Sequence, residues 1–274
     1  IILKNLSDII NPLDVKELHK HASNSPSFPY FFVDNFLKEE FANEVHDSFP
    51  DYDKAITIGK TFNAVNEVKK VQVTDFKLFP SPIAKLNKFL ASKEFINKIE
   101  SILDLTELSA DKNLMGGGIH ETREGGRLDV HVDFNFNKEI GLYRRANILI
   151  YFNKDWKKEY GGILDLWDSE VKKCHAEILP IFNRMVCFST SEISYHGVTP
   201  LRCPKNKVRK SFAAYYYSTE ASDGYAGSNH STIFKARPEE WMLSHVSMPV
   251  HNIKVKVRTY TRIFKNVIKN ILKK

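Results

Sequence analysis

The chain has 274 residues, of which 42% are apolar and 12% aromatic. This length fits one large domain or two small ones, and the composition excludes a disordered or collagen-like chain. No apolar run approaches the roughly 18–20 residues that a membrane span needs, which excludes a transmembrane protein. The first residues show neither an initiator Met nor a secretory pattern, so we expect the natural N-terminus to lie upstream.

Basic charge is concentrated at the C-terminal end. The chain has 40 Lys and Arg against 33 Asp and Glu, and residues 251–274 contain eight of the basic residues and none of the acidic ones. The remainder therefore holds 32 basic and 33 acidic residues and is nearly neutral. Because a nucleic-acid-binding protein usually spreads basic residues over a folded face, we expect no nucleic-acid partner.

Residues 258–274 have the pattern of a basic amphipathic helix. Its apolar half and its basic half comprise Ile263, Phe264, Val267, Ile268, Ile271 and Leu272, and Arg262, Lys265, Lys269 and Lys273. Such a helix docks on the body, self-associates with a second copy of the chain, or lies on an anionic membrane surface. All three alternatives stay open at this point.

The cysteines bear on the compartment. Cys174, Cys187 and Cys203 are odd in number and never spaced as Cys-x-x-Cys. This argues against a disulfide framework or a thiolate zinc site and favours a reducing environment. We therefore expect a cytoplasmic protein, peripheral at an anionic membrane surface if the C-terminal helix binds there.

Helical patterns dominate before about residue 105. Residues 25–34 predict a loop that enters a short strand, and residues 37–48 predict a helix with an apolar residue at every fourth position. Ser81, followed by Pro82, and Ser92 each predict the N-terminal cap of a further helix. We expect these helices to support a site rather than to form one.

The sequence pattern changes at about residue 112, beyond which glycine clusters separate short β-prone runs. The predicted strands are 146–152, 184–189 and 211–217, and the glycine clusters are 116–118, 125–126 and 161–162. This segregation predicts an α+β protein, with helices packed on one side of a double-sheet β core.

Three stretches of this β-rich part carry candidate chemistry. His131 and Asp133 share a strand face because residues i and i+2 point the same way. With His196 from a distant strand, they complete a facial set of two histidines and one carboxylate, as in non-haem Fe(II) oxygenases. The His-x-Asp pattern alone is weak, since chance gives about half an instance in a chain of this composition; the order of the surrounding blocks gives it weight.

Those blocks resemble the Fe(II)- and 2-oxoglutarate-dependent oxygenases of the prolyl-hydroxylase type. In the family's order they are 125–135, 144–156, 161–168 and 194–200. The resemblance implies a double-stranded β-helix, or jelly-roll, with supporting N-terminal helices. It divides the chain into a support region (1–110), a catalytic core (111–220) and a C-terminal extension (221–274).

The resemblance also implies the roles of individual residues. His131, Asp133 and His196 would be the Fe(II) ligands and the catalytic centre, with 2-oxoglutarate and O2 as cosubstrates. Arg209, 13 positions after His196, would bind the distal carboxylate of 2-oxoglutarate. A guanidinium suits this task because its fork donates two parallel hydrogen bonds and stays charged.

Four more residues share these predicted strand faces or precede them. Ser211 lies on the face of Arg209 and would donate to the same carboxylate. Tyr151 would direct its hydroxyl to the cosubstrate or serve as a core aromatic, and Asn147 is a further cosubstrate candidate on its face. His120, on an inferred preceding strand, either faces the pocket or has a structural role.

The implied reaction is hydroxylation of an unactivated C–H bond, with release of succinate and CO2. Asp133 favours hydroxylation over halogenation, because halogenating relatives have a small residue at this position. The substrate class is open among peptides, amino acids, glycans and small molecules. Two alternatives remain: a cupin-type metal enzyme without the cosubstrate, which would have no use for Arg209, and a catalytically silent binding module of the same fold.

Overall fold

The computed structural model describes residues 8–225, 227–240 and 242–248. The amphipathic helix predicted at 258–274 lies outside these residues and stays a prediction. Within them, no helix combines the length and the apolar character that crossing a membrane would require. The three cysteines are all described, and each is a free thiol.

The described residues contain five α-helices, and all of them precede residue 105 as predicted. They are α1 (Val15–Ser23), α2 (Glu39–Ser48), α3 (Tyr52–Ile58), α4 (Ser81–Leu90) and α5 (Lys93–Leu103). Short 3₁₀ turns span Phe76–Leu78 and Lys158–Tyr160, and a π-helical turn spans Leu243–Ser247. The helix predicted at 37–48 is confirmed as α2, which begins two residues later.

The two predicted serine caps have different outcomes. Ser92 caps α5 as predicted, its Oγ accepting a hydrogen bond from the backbone N–H of Phe95 at 3.4 Å. The predicted cap at Ser81 is wrong, because the cap residue is Pro80 and Ser81 is already the first helical residue. Pro80 takes the extended ψ of 150° that a cap position needs, and it has no side-chain group to bond the free amides.

Thirteen strands of the described residues form one strongly curled antiparallel sheet. They are β1 (Tyr30–Val33), β2 (Lys60–Phe62), β3 (Glu67–Val73), β4 (Ser109–Ala110), β5 (Gly118–Val132), β6 (Phe136–Asn137), β7 (Leu142–Tyr151), β8 (Leu164–Trp167), β9 (Cys174–Ile178), β10 (Arg184–Ser189), β11 (His196–Val198), β12 (Arg209–Ser218) and β13 (Ile233–Phe234). The main order is β1-β10-β7-β12-β5-β11-β8-β9. This is the predicted α+β architecture with a jelly-roll core, and β7, β10 and β12 match the predicted strands.

The N-terminal segment contributes strands to this sheet as well as helices. β1 pairs with β10 along its whole length, and β3 pairs with β5 from Glu67 to Val73. β2 then pairs with β3 at the outside. The predicted support region and core thus share one sheet, and their division at residue 110 stays a prediction.

β5 runs through the predicted glycine break. His120 and His131 lie on this one strand, so the expectation that His120 belongs to a separate preceding strand is wrong. The glycines act inside the strand: Gly125 has φ +75°, which only glycine adopts at little cost. Beyond them the strand changes partners, from β12 at residues 118–122 to β11 at residues 128–131.

Alternation along β7 separates the helical layer from the interior of the roll. Ile148 and Ile150 are fully buried in the core cluster that contains the helices. Leu149 and Tyr151 point the other way and pack with β8 and β10. Period-two alternation therefore gives this sheet one face against helices and one face toward an internal cavity.

Candidate active site

The two histidines and the aspartate predicted from sequence converge at one point. His131 on β5 and His196 on β11 are directly paired across the two strands, and their ring centroids are 4.4 Å apart. Asp133, which follows β5, places Oδ1 3.6 Å from Nε2 of His131 and Oδ2 3.5 Å from Nε2 of His196. One ligand atom from each residue lies within 4.8 Å of the others, a spacing that fits a shared metal ion.

Backbone carbonyls orient both imidazoles. Nδ1 of His131 is 2.9 Å from the carbonyl of Asp129, and Nδ1 of His196 is 2.9 Å from the carbonyl of Ser194. A carbonyl only accepts, so each Nδ1 carries the proton and donates, and each Nε2 keeps its lone pair. This is the tautomer that a metal-binding histidine requires.

A network that the sequence reasoning missed holds the aspartate. Asn147 donates from Nδ2 to Oδ2 of Asp133 at 2.8 Å, and Arg144 places Nη2 3.1 Å from the same oxygen. Arg144 also donates from Nε to Oδ1 of Asn147 at 2.8 Å, which closes the triangle. Asn147, predicted as a cosubstrate residue, thus contacts the carboxylate of the triad.

Aromatic rings hold the Arg144 guanidinium in turn. Its centre lies 3.5 Å from the ring centroid of Tyr215 and 4.9 Å from that of Phe134. Arg144 is the first residue of the segment 144–156, one of the four that resemble the family. Its role carried no signal in the sequence, because no fixed spacing ties it to Asp133.

The electrostatics of the triad favour metal binding at neutral pH. Burial opposes ionisation of Asp133, but Arg144 and the two imidazoles hold its pKa well below the usual range. Burial and the neighbouring His131 lower the pKa of His196 to about 4. The carboxylate is therefore charged and the His196 imidazole neutral, as ligation requires.

Arg209 lies on the wall of the same cavity, 5% exposed, as the first residue of β12. Its Nε donates to the carbonyl of Gly162 at 2.7 Å, while its buried Nη2 has no partner among the described residues. The ring of Tyr151 packs 5.0 Å from the guanidinium. The Tyr151 hydroxyl is also buried and makes no hydrogen bond of standard geometry with the described residues. Burial raises its pKa, and the neighbouring Arg209 guanidinium acts in the opposite direction, so the two polar groups interact at this end of the site.

The remaining predicted residues sit beside Arg209. Ser211 lines the cavity and is paired across the sheet with both Tyr151 and His120. His120 faces the cavity too, with Nε2 3.0 Å from the carbonyl of Gly116. Burial lowers its pKa well below the usual value, so His120 is a neutral, backbone-bonded wall residue.

The cavity that joins these groups has a volume of about 410 Å³. Phe188 packs 4.7 Å from the His196 ring and Phe234 packs 5.3 Å from the His131 ring, which gives the triad apolar flanks. The residues present fit a ferrous ion and 2-oxoglutarate. Two free Nε2 atoms and a carboxylate face one point, and a buried guanidinium with an unpaired donor lies on the same wall.

Comparison with known proteins agrees with this geometry. Residues 117–217 match the family model of the 2OG-Fe(II) oxygenase superfamily. The resemblance seen in the sequence is confirmed. The matched range holds every member of the triad together with Arg209, and the superfamily takes the Fe(II) and 2-oxoglutarate that the site fits.

One curated relative is the prolyl 3-hydroxylase OGFOD1 of Mus musculus. It is 28% identical over 78 residues, which cover 27% of this chain and 14% of the relative. The chain therefore spans only a small part of the length of the relative it matches. The likeness supports a prolyl-hydroxylase-like core.

Solved structures share the fold at low identity. A Trichoplax adhaerens prolyl hydroxylase, solved with a hypoxia-inducible-factor peptide, has a TM-score of 0.54 at 18% identity, covering 74% of this chain and 88% of that one. A Pseudomonas putida prolyl-4-hydroxylase has a TM-score of 0.51 at 14% identity, covering 73% and 98%. The epimerase SnoN from nogalamycin biosynthesis has a TM-score of 0.53 at 12% identity, covering 76% and 85%. At these identities the likeness shows the fold alone.

Proposed function

We propose that this protein is a non-haem Fe(II)- and 2-oxoglutarate-dependent dioxygenase that hydroxylates an unactivated C–H bond. The observation that carries the proposal is the meeting of His131, Asp133 and His196 in one cavity with the buried guanidinium of Arg209, whose Nη2 has no hydrogen-bond partner among the described residues. The match of residues 117–217 to the oxygenase superfamily supports it.

Each side chain has a task in this proposal. His131, Asp133 and His196 would hold the metal, a ligand set typical of non-haem Fe(II) oxygenases. Arg209 binds the distal carboxylate of 2-oxoglutarate, with the hydroxyls of Tyr151 and Ser211 as further donors. The bound metal and cosubstrate supply the oxidation of a C–H bond by O2, with release of succinate and CO2.

The protein's own contribution is orientation and shielding. Carbonyl-bonded Nδ1 atoms fix both imidazole planes, and the Arg144–Asn147 pair fixes the carboxylate plane. Phe188 and Phe234 keep bulk water from the histidines, since both rings pack against the imidazoles. A shielded site would limit side reactions with water once the metal and 2-oxoglutarate are bound.

The two alternative functions lack a comparable observation. A cupin-type enzyme without the cosubstrate leaves the buried Nη2 of Arg209 unexplained. A silent binding module leaves the convergence of His131, Asp133 and His196 on one point unexplained. Asp133 at the carboxylate position favours hydroxylation over halogenation.

The substrate class and the surroundings are proposals of a finer kind. Two of the three structural neighbours named above are prolyl hydroxylases and one of these was solved with a peptide, so a proline-containing peptide is the first candidate, ahead of amino acids and glycans. We place the protein in the cytoplasm, with residues 258–274 docking on the body, on a second copy or on an anionic membrane. Sedimentation with anionic liposomes, compared with a chain lacking 258–274, tests the membrane contact.

Anaerobic titration tests the reaction class. Adding 2-oxoglutarate to the Fe(II)-loaded protein should produce the weak visible charge-transfer band of a chelated complex. Succinate release on readmission of O2 should then depend on an added substrate. If Fe(II) binds but the addition of 2-oxoglutarate produces no charge-transfer band, the cosubstrate-independent alternative replaces this proposal.

A further inference from the structure

The cavity extends beyond the triad along a single sheet face. Strand register pairs Ser211 with His120, His120 with Gln72, and Gln72 with Lys60, so these side chains share a face across β12, β5, β3 and β2. The next row of paired residues on the same face runs from Arg209 through Thr122 and Lys70 to Phe62. All eight residues line the cavity.

The cations of this cavity are not all balanced. Five cationic side chains line it: Lys60, Lys70, Arg127, Arg144 and Arg209. Three of them have a carboxylate partner, because Lys70 pairs with Glu67 at 2.8 Å, Arg127 with Asp129 at 2.8 Å and Arg144 with Asp133 at 3.1 Å. The proposed function assigns Arg209 to the cosubstrate. Lys60 is left, with no carboxylate partner among the described residues.

Lys60, Phe62 and Lys70 lie together at the edge of the cavity, which we call the rim. Its ammonium lies 4.7 Å from the ring centroid of Phe62, and the ammonium of Lys70 lies 5.2 Å from the same centroid. Both ammonium groups are thus within cation–π distance of one ring, which favours keeping them beside the cavity. An anionic group resting here meets two positive charges, only one of which is already paired.

The cosubstrate cannot be the anion that this rim serves. In the proposed function both ends of 2-oxoglutarate are already bound, one at the metal and the distal carboxylate at Arg209, so neither end is left for Lys60. A second anion at Lys60 has to belong to another molecule in the cavity.

We infer that the substrate carries an anionic group, a carboxylate or a phosphate, which Lys60 binds at the rim while the rest of the molecule reaches inward to the triad. This inference rests on the proposed function and deepens it by naming a substrate class. Phe62 holds the Lys60 ammonium by a cation–π contact, so its role in the inference is to position the lysine.

Lysine NMR on the full chain tests this inference. Reductive ¹³C-methylation keeps each lysine charged, and Zn(II) with 2-oxoglutarate fills the inner site without paramagnetism. Phenylacetate and benzyl phosphate are the anionic probes, and phenylacetamide and benzyl alcohol are their neutral counterparts. Lys154 is a matched control in the same spectrum, since it is exposed, has no described carboxylate partner and lies 5.2 Å from the Phe182 ring centroid. Lys60→Arg and Lys154→Arg variants assign the two signals.

We expect the Lys60 signal to shift saturably with the anionic probes, at least tenfold tighter than with the neutral ones, and the Lys154 signal to stay. The stronger of the two anionic probes identifies carboxylate or phosphate as the group. Parallel shifts of both lysines, or no shift of Lys60, would overturn the inference. If the Fe(II) charge-transfer band fails to form, the proposed function fails separately, while the lysine spectrum still reports on the rim.

Discussion

The two oxygens of Asp133 have different surroundings. Oδ2 accepts a hydrogen bond from Asn147 and pairs with Arg144, whereas the one described side-chain neighbour of Oδ1 is Nε2 of His131 at 3.6 Å. A carboxylate held through one oxygen presents the other to a metal in a fixed plane. Residues that orient a metal ligand in this way commonly change metal affinity 10- to 100-fold when removed.

Replacing Asn147 with alanine should therefore weaken metal binding about tenfold. The carboxylate would keep its charge partner Arg144 but lose the bond that fixes its plane. Co(II) titration followed by visible absorption measures the affinity without any turnover. Asn43→Ala is the control, because the described hydrogen bond of its side chain is local, to the backbone carbonyl of Glu39 one turn earlier in α2. Unchanged Co(II) affinity in the Asn147 variant, with a normal thermal transition, would argue against this orienting role.

Arg209 should affect the cosubstrate and leave the metal alone. Arg209→Ala removes the buried guanidinium, so the dissociation constant for 2-oxoglutarate should rise at least tenfold, with Fe(II) affinity unchanged. Arg209→Lys should recover only part of the loss, because an ammonium cannot make the bidentate contact. Calorimetric titration of the metal-loaded protein with 2-oxoglutarate measures the first affinity, and titration of the metal-free protein with Fe(II) measures the second. An equal loss of Fe(II) binding would show a structural effect instead.

At the scale of elements, a buried ion pair packs against β11 at Gly197. Arg237, after β13, donates from Nε to Oδ2 of Asp165 on β8 at 2.7 Å, and both side chains are nearly fully buried. Gly197 lies against this pair, and a Cβ there would come within 2.8 Å of Arg237 and 2.9 Å of Asp165. The pair and the glycine together set the position of the strand that carries His196.

Arg237→Ala should lower the free energy of unfolding by about 3–5 kcal/mol, because it leaves the Asp165 carboxylate buried and unpaired. Asp34→Ala is the matched control, since it breaks the pair with Arg184 at a half-exposed carboxylate and should cost about 1 kcal/mol or less. Chemical denaturation of the metal-free protein measures both. Similar losses for the two variants would contradict the assignment of a buried role to the Arg237 pair.

The elements that the sequence predicted well are those with strong local signals. β10 spans the predicted 184–189, because an apolar run there is bounded by polar residues. The triad was identified because each member sits in a motif of fixed spacing and the motifs follow a family order. α2 followed from apolar periodicity, and the start of α5 from the capping serine at 92.

What the sequence did not reveal depends on contacts between distant strands. β3 was not predicted, because its cavity-facing positions hold Lys70 and Gln72 and its pattern does not suggest burial. Arg144 reaches Asp133 only when the chain turns back after β5 and β7 pairs with β6. No local spacing encodes either feature.

At the scale of the whole molecule, one buried acid works against stability at neutral pH. Glu121 is fully buried on β5, and neither carboxylate oxygen has a hydrogen-bond partner among the described residues. Burial raises its pKa from 4.5 to about 7. The unfolded chain therefore releases this proton at lower pH than the folded chain does, so stability falls as pH rises from about 4.5 to 7.

Glu121→Gln should remove that dependence. Above pH 7 the variant should be more stable than the parent by up to roughly 3 kcal/mol, and near pH 4.5 the difference should vanish. Urea denaturation across this pH range provides the comparison, with Glu177→Gln, an exposed change on β9, as the control. A stability difference that stays constant with pH would show that the carboxyl does not titrate in this interval.

The weaving of early and late strands has a consequence for any attempt to shorten the protein. β1 covers the free edge of β10, and β3 covers β5 directly beside the cavity. A fragment that starts at residue 111 would expose the backbone amides and carbonyls of both strands. Uncovered edges of this kind recruit other chains. Such a fragment should aggregate even though it retains all three triad residues and Arg209, so the minimal working unit includes the strands contributed before residue 74.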